Sequence, residues 1–269
     1  GKASVDATGW SAEIAIPFQS LTFRPDDPVW GFEVERIVRR DNQKIRWANH
    51  SQNHMIVNIA GIGRIEGLEG VSGTGVDVKP SYRAGFDRRY EPADDDWLGR
   101  PGLDVFYKPT SSITTVATFN TDFSDTPQDL RQTNLTRFPI MTPETRDFFL
   151  QDAGIFDFAG IVDNGKPFFS RRIGIVSGQD VPIDAGLKAT GRVGDLNFGA
   201  LSVLTGSSGG YDRESLTVAR ASLNVLAESS IGAIVTRGDP ASREADSVGG
   251  IDLRYRDSSF GGSKIIAAD

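Results

Sequence analysis

The sequence predicts an all-β protein, because polar and apolar residues alternate in short segments and glycine is frequent. The chain has 269 residues, including 30 glycines. Strict alternation is typical of a strand with one covered face, and glycine-rich connections are typical of turns. No apolar run approaches the ~20 residues that a membrane-spanning helix requires. The length favours two units: a β-sandwich followed by a longer set of antiparallel strands.

Composition excludes several functional classes. The net charge of −7 and the pI of about 5.0 argue against a nucleic-acid partner, because phosphate binding needs a basic face. The absence of cysteine excludes disulfides, thiolate metal sites and a cysteine nucleophile. Gly1 is not a natural start, and the last residues stop within a strand pattern. We therefore expect a fragment of a longer chain that continues beyond Asp269.

Two alternating stretches predict the sandwich in the N-terminal region. Residues 9–18, GWSAEIAIPF, read as a half-buried strand that Pro17 ends. Residues 30–40, WGFEVERIVRR, alternate again, and the turn DNQK at 41–44 leads into IRWAN. These patterns indicate antiparallel hairpins with one solvent-exposed face. The glycine-rich stretch 61–75 is the candidate linker.

Longer strands follow the linker, with small or apolar side chains on one face and polar ones on the other. The polar face is predicted to carry Lys188, Arg192, Arg220 and Asn224. Ten residues at ~3.3 Å each, tilted by ~45°, span roughly 24 Å, which is close to the apolar band of an outer-membrane barrel. Tight turns such as GD and AESS alternate with longer loops such as TGSSGGYDRE. A soluble sandwich also alternates, so the pattern alone leaves both folds open.

Residues 133–156, TNLTRFPIMTPETRDFFLQDAGIF, follow neither a strand nor a helix period. Their four phenylalanines need burial, and the two prolines prevent a central strand or an uninterrupted helix. We predict a plug-like segment over 121–168 that folds inward against the strands. The arginines of SRRIG are predicted on a strand, with one of them facing the acids of 144–152. The residues predicted to make these contacts are Arg137, Glu144, Arg146, Phe148, Phe149, Arg171 and Arg172.

No motif predicts catalysis, a metal or a cofactor. The histidines of HSQNH at 50–54 have a zinc-like spacing but lie beside strand-like residues, without a general base between them. The acids of ADDD at 93–96, with Glu91, match no calcium loop and are interpreted as a solvated tip. There is no nucleophile elbow, phosphate-binding loop or dinucleotide fingerprint. The prediction is therefore no catalytic residues, no metal ligands and no cofactor.

The tryptophans are the candidate carbohydrate contacts. Trp30 and Trp47 are the predicted sugar-stacking residues, since aromatic faces stack on sugar rings in carbohydrate-binding modules. Trp10 and Trp30 also occur in phase with apolar neighbours, which favours core packing for both.

Two parts of the chain resemble known families. GWSAEIAIPFQSLTF, WGFEVERIVRR and IRWA resemble the C-terminal half of a family-9 carbohydrate-binding-like domain. LDVFYKPTSSITTVATFNTDFSDTPQDLRQTNLTRF, TPETRDFFLQDAGIF, FFSRRIG and LKATGRVGDLNFGALSVLT resemble a bacterial envelope family of unknown function that follows such domains. The resemblance implies part of a sandwich over residues 1–66 and the first part of an outer-membrane β-barrel over residues 67–269.

The resemblance also implies a location and partners. We expect a non-enzymatic protein of the bacterial outer membrane, with its sandwich in the periplasm, lipid around the barrel, and glycan binding or uptake as its function. One rival is a secreted hydrolase of glycosidic bonds with an attached binding module, which needs two convergent carboxylates. The other is a structural envelope adaptor whose sandwich binds another protein.

Overall fold

Strands make up most of the regular structure in the computed structural model, which confirms the all-β prediction. The structure describes residues 1–7, 9–48, 62–90, 93–121, 144–161, 165–176, 179–207, 212–239, 246–260 and 264–268. The chain divides into two units, Gly1–Gly73 and Thr74–Asp269.

The first unit contains short antiparallel ladders. Its strands are β1 (Lys2–Val5), β2 (Trp10–Glu13), β3 (Trp30–Phe32), β4 (Glu35–Val38), β5 (Gln43–Arg46) and β6 (Gly63–Ile65). β1 pairs with β2, β3 with β6, and β4 with β5. β2 ends before Pro17, and Asn42 adopts a φ of 51° in the predicted turn between β4 and β5. β6 comes from the glycine-rich stretch, which therefore contributes a strand as well as a connection.

The second unit is built on one antiparallel sheet. Its strands are β7 (Gly75–Tyr90), β8 (Ala93–Thr110), β9 (Ile113–Phe119), β10 (Ile175–Val176), β11 (Gln179–Asp180), β12 (Ile183–Val193), β13 (Leu196–Thr205), β14 (Ser215–Val225), β15 (Ser229–Arg237), β16 (Ser247–Phe260) and β17 (Lys264–Ala268). β10 and β11 form a separate small ladder. The other nine strands pair in chain order, from β7 at one edge to β17 at the other, and the described sheet remains open.

The two ends of this sheet differ in their connections. At one end, residues 111–112, 194–195 and 226–228 join β8 to β9, β12 to β13 and β14 to β15. Gly194 and Leu226 both have a φ of 57°, a left-handed conformation that suits such tight turns. At the other end, longer connections span 206–214 and 238–246, although only two residues separate the end of β7 from the beginning of β8 there. We call these the short-connection end and the long-connection end.

The two faces of the sheet also differ, and exposure alternates between them along β9, β12, β13, β14 and β15 as predicted. In β12, Leu187 is exposed, whereas its neighbour Lys188 is buried. The face that carries Leu187 is called the outer face, and the face that carries Lys188 is called the inner face. Large exposed side chains of the outer face include Val78, Leu103, Phe119, Leu187, Leu223 and Ile251.

The chain between β9 and β12 contributes two described stretches that cover part of the inner face. Its described residues 144–161 and 165–174, here called the inner segment, contain one short helix, α1 (Asp147–Leu150), and 3-10 turns at Ala153–Phe156 and Ser170–Arg172. The core lies between this segment and the strands, and its buried members are Val116, Phe148, Phe149, Phe156, Ile173, Ile183, Leu201, Val203, Leu216, Val218 and Ile234.

The strand predicted for SRRIG is wrong. Ser170–Arg172 forms a 3-10 turn, because the amide of Ile173 donates to the carbonyl of Ser170 at 2.9 Å. In the part of the chain that the structure describes, no helix is both long enough and apolar enough to cross a membrane.

Candidate functional site

Glycines on the inner face make room for the rings of the inner segment. A Cβ atom at Gly186 would lie 2.8 Å from Cζ of Phe148, and one at Gly250 would lie 2.8 Å from Cζ of Phe158. At Gly199, a Cβ atom would lie 2.9 Å from Cζ of Phe156. Because glycine inside a strand permits close approach, these positions act as sockets for aromatic rings. The inner face is therefore shaped to receive this segment.

Lys188 holds the end of α1. Its side chain is 1 % exposed, and Nζ donates to the carbonyl of Phe148 and, at 2.7 Å, to that of Gln151. The ammonium also lies 5.4 Å from the centre of the Phe148 ring. The last carbonyls of a helix have no partner within the helix and favour a cation. A buried lysine thus compensates the C-terminal end of α1.

Asp152 makes the next contact with β12. Thr190 Oγ1 donates to Oδ2 of Asp152 at 2.8 Å, and Arg192 lies 3.5 Å from Oδ1 of the same carboxylate. Asp152 itself has a φ of 53°, in the left-handed region. Three successive inner-face positions of β12 therefore bind the residues that follow α1.

Glu144 and Arg146 form a buried pair inside the segment. Arg146 Nε and Nη2 donate to the Glu144 carboxylate at 2.9 and 2.8 Å, and Ser170 Oγ donates to it at 2.6 Å. Arg146 also donates to the carbonyls of Ile173 and Ser170, both at 2.7 Å. Burial alone would raise the pKa of Glu144, but the hydrogen bonds and charge of Arg146 outweigh burial and lower this pKa. The pair joins the beginning of the segment to its end.

A second buried pair lies on the strands. Arg220 of β14 donates to Asp252 of β16 at 2.8 and 2.9 Å in a bidentate arrangement. The amide of Ala159 donates to Asp252 Oδ2 at 3.2 Å, and the Arg220 guanidinium lies 5.4 Å from the centre of the Phe158 ring. This pair therefore holds the middle of the inner segment against the sheet.

The structure brings together several of the predicted contact residues and separates others. Glu144, Arg146, Phe148 and Phe149 meet in one buried cluster, in which the Arg146 guanidinium lies 4.2 Å from the Phe149 ring centre. Arg171 is partly buried and Arg172 is exposed on the 3-10 turn. Arg137 lies outside the described residues.

The tryptophans occupy different environments in the first unit. Trp30 packs against Phe23 and Phe18, with ring centres 4.7 and 5.7 Å away. Trp47 is 56 % exposed and contacts Phe32. Core packing was the wrong prediction for Trp10, which is also 56 % exposed and has the Arg36 guanidinium 4.9 Å from its ring centre. The histidines of HSQNH and Glu91 lie outside the described residues.

Sequence reasoning missed Thr190, Asp252 and the three glycine sockets. Gly186, Gly199 and Gly250 each interrupt an alternating pattern at an inner-face position. Glycine at such a position indicates a close neighbour, so the sequence did contain an indication of these ring contacts. Asp252 carried no such signal, because its partner Arg220 is two strands away in the sheet.

A cavity of about 420 Å³ lies at the long-connection end, between residues 165–173 of the inner segment and the sheet. Its wall combines apolar side chains, such as Phe168 and Leu216, with the polar chains of Lys166 and Arg172. Within the described ranges, no group of three or more histidine, aspartate or glutamate residues could hold a metal ion.

Comparison with known protein families gives a match to the middle of the chain. Residues 80–190 match a domain of unknown function, DUF5916, a region that runs from β7 through the inner segment to most of β12. No curated protein and no solved structure matches the chain.

Proposed function

We propose that this chain belongs to a non-enzymatic protein of the bacterial outer membrane. In this proposal, the antiparallel strands form part of a β-barrel, and a carbohydrate-binding-like module precedes them in the periplasm. The complete protein binds or takes up a glycan-related ligand. The observation that carries the proposal is the pairing of an exposed apolar outer face with an inner face that buries charges.

The outer face has an apolar row that crosses five strands. The residues are cross-strand neighbours from β12 to β16, and each is between 40 and 59 % exposed: Val193, Leu196, Leu223, Ile231 and Leu253. Water-soluble monomers rarely expose a large contiguous apolar surface. Lipid chains are an apolar solvent that removes this cost. Lipid is therefore the proposed partner of the outer face.

Strand length and connection length agree with this environment. β12, β13, β14 and β15 contain 11, 10, 11 and 9 residues, and a tilted transmembrane strand needs roughly 9–11 residues. In bacterial barrels the short turns face the periplasm. β7 begins at the short-connection end, since Gly75 pairs with Lys108 near the end of β8. The proposed periplasmic location of the preceding unit follows from this entry point.

Membrane association is tested on the full-length protein by detergent phase partition and by fractionation of bacterial envelopes. We expect the protein in the detergent phase and in the outer-membrane fraction, with a folded form that migrates faster than the boiled form in electrophoresis. Recovery in the aqueous phase without detergent would overturn the proposal.

Glycan binding is tested with the same detergent-solubilised protein on a glycan array. Trp47→Ala should weaken any glycan signal, because an exposed indole ring is available to stack on a sugar. Trp10→Ala is the matched control, since Trp10 has the same exposed fraction of 56 % in the same unit. Equal signals from both variants would remove Trp47 from the proposed binding surface.

A further inference from the structure

The cavity at the long-connection end has a largely apolar floor on the inner face of the sheet. A cross-strand row of inner-face residues runs over β13, β14, β15 and β16: Leu201, Val218, Thr236 and Val248. Leu216 lies two residues before Val218 on the same face of β14. Directly opposed side chains have Cβ atoms about 4.5–5.5 Å apart. These residues therefore form one continuous surface, and all of them except Val218 line the cavity.

The cavity runs from this floor to an exposed rim. Leu201 and Leu216 are buried, whereas Val248 is 48 % exposed. Four residues further along the same face of β16, Asp252 is buried, and the amide of Ala159 in the inner segment donates to it. The inner segment therefore covers Asp252 but not Val248, and a solute can reach the floor from the side of Val248.

The inner segment supplies another wall of the cavity, which combines aromatic and cationic side chains. The ring centre of Phe168 lies 5.5 Å from that of Phe156, and Phe168 lines the cavity together with Phe169. Lys166 and Arg172 belong to the same wall. Lys166 is partly buried, and neither cation forms a side-chain hydrogen bond or an ion pair with another residue of the described ranges. Both cations are therefore available to a ligand.

The carboxylates of the cavity lie on a different wall. Asp239 and Asp246 come from the two ends of the 238–246 connection and not from the inner segment. Both have interaction partners of their own. The positive charges of Lys166 and Arg172 thus belong to the inner-segment wall, and the negative charges belong to the connection. Because like charges repel, a bound anion is favoured beside the inner segment, and the two carboxylates oppose a second negative charge on the same ligand.

We propose that this cavity binds a small organic monoanion with an apolar body, of which an aromatic carboxylate is the fitting class. The cavity volume of about 420 Å³ lies within the roughly 300–1,000 Å³ of small-molecule pockets. Lysine and arginine bind carboxylates through charge-assisted hydrogen bonds, and the apolar body is removed from water against Leu216 and Phe168. The inference goes beyond the proposed function, because it assigns a ligand of another class and does not require a membrane.

The inference is tested by calorimetry on the full-length protein in neutral detergent, with 2-naphthoate as the probe and protein-free detergent as the blank. In the comparison probes, 2-naphthamide lacks the charge, 2-naphthylmethylamine carries the opposite charge, and acetate lacks the apolar body. We expect 2-naphthoate to bind at least tenfold more tightly than each of them. Equal binding of 2-naphthoate and any comparison probe, tighter binding of the amine, or no binding of 2-naphthoate would overturn the inference.

Variants of the two walls assign the site. Lys166→Gln combined with Arg172→Gln should weaken 2-naphthoate binding at least tenfold and leave 2-naphthamide binding unchanged. Arg171→Gln is the matched control, because Arg171 lies on the same 3-10 turn but does not line the cavity. Val248→Trp places a large ring at a half-exposed position of the floor and should abolish binding of both compounds. Wild-type affinity for 2-naphthoate in the charge variant or in Val248→Trp, or an equal loss in Arg171→Gln, would overturn the assignment.

Discussion

Adjacent residues of the same strand meet opposite environments on the two faces of the sheet. Leu187 of β12 is 57 % exposed, whereas Lys188 is 1 % exposed. On β16, Leu253 is 59 % exposed and Asp252 is 7 % exposed. A sheet in a water-soluble protein usually places its apolar residues on the covered face and its polar residues on the other.

The inner face can bury charged side chains because these side chains have hydrogen-bond partners there. Two of the buried charges illustrate this: Lys188 has two carbonyls as partners, and Arg220 has both oxygens of Asp252. A buried ion is tolerated only when it is paired and hydrogen-bonded. The inner segment supplies these partners for Lys188, and it also supplies the phenylalanine rings of the core. The inner face is therefore packed against other groups of the protein, whereas the outer face is exposed.

The largest effect is expected from removing the rings that seat the segment. Phe148→Ala and Phe149→Ala should each lower the free energy of unfolding by ~3–5 kcal/mol, because each ring is buried and leaves a cavity. Leu150→Ala on the same helix is the control, since Leu150 is 50 % exposed. Denaturant unfolding of the detergent-solubilised protein measures the three changes. If both phenylalanine variants were as stable as the wild type, the segment would not be part of the core.

The second-largest loss of stability is expected from breaking the buried Glu144–Arg146 pair. Arg146→Met leaves the Glu144 carboxylate buried without its main partner, and we expect a loss of ~3–5 kcal/mol. The double variant Glu144→Gln with Arg146→Met should recover part of that loss, because no uncompensated charge remains. Unfolding measurements on the complete double-mutant cycle give the coupling. Additive losses would show that the two side chains act independently.

On the outer face, the free-energy cost of introducing a charged side chain should depend on where along the strand the residue lies. Under the proposed function, Leu187→Arg places a cation near the middle of β12 and should cost about 2–4 kcal/mol of folding into a bilayer, whereas a change near the membrane surface costs about 0–1. Leu226→Arg, on a short turn, is the matched control because Leu226 is 78 % exposed. Folding into lipid vesicles measures both. Equal costs at the two positions would contradict a lipid-facing outer face.

The sequence predicted the two faces because alternation is a local property of the chain. Leu187 and Lys188 fall on opposite faces by the period of a strand, whatever the pairing partner. The turn predicted at GD lies at 194–195, and the turn predicted at AESS, residues 227–230, lies at 226–228. The inner segment was predicted from its phenylalanines and prolines, which fit no regular period.

Contacts between distant positions could not be predicted in this way. Asp252 meets Arg220 only because β15 lies between their strands, and this register is a property of the folded sheet. Arg171 and Arg172 were assigned to a strand, yet the hydrogen bond from the Ile173 amide to the Ser170 carbonyl gives a 3-10 turn. The short ladders of the first unit show the same limit: alternation at residues 9–18 did not reveal that β2 ends at Glu13.

The smallest expected effect is a loss of stability at acidic pH that is specific to Glu144 of the inner segment. The pKa of Glu144 is lowered from its ordinary value of 4.5, since Arg146 outweighs burial. A carboxyl group with a lowered pKa contributes stability that is fully present above about pH 4.5 and is lost as the pH falls through its folded value. We therefore expect the stability difference between the wild type and Glu144→Gln to shrink steadily below about pH 4.5. Thermal unfolding of both proteins between neutral and acidic pH measures this difference, in which the titration of all other carboxyl groups cancels. A difference that stays constant with pH would mean that the Arg146 charge does not lower this pKa.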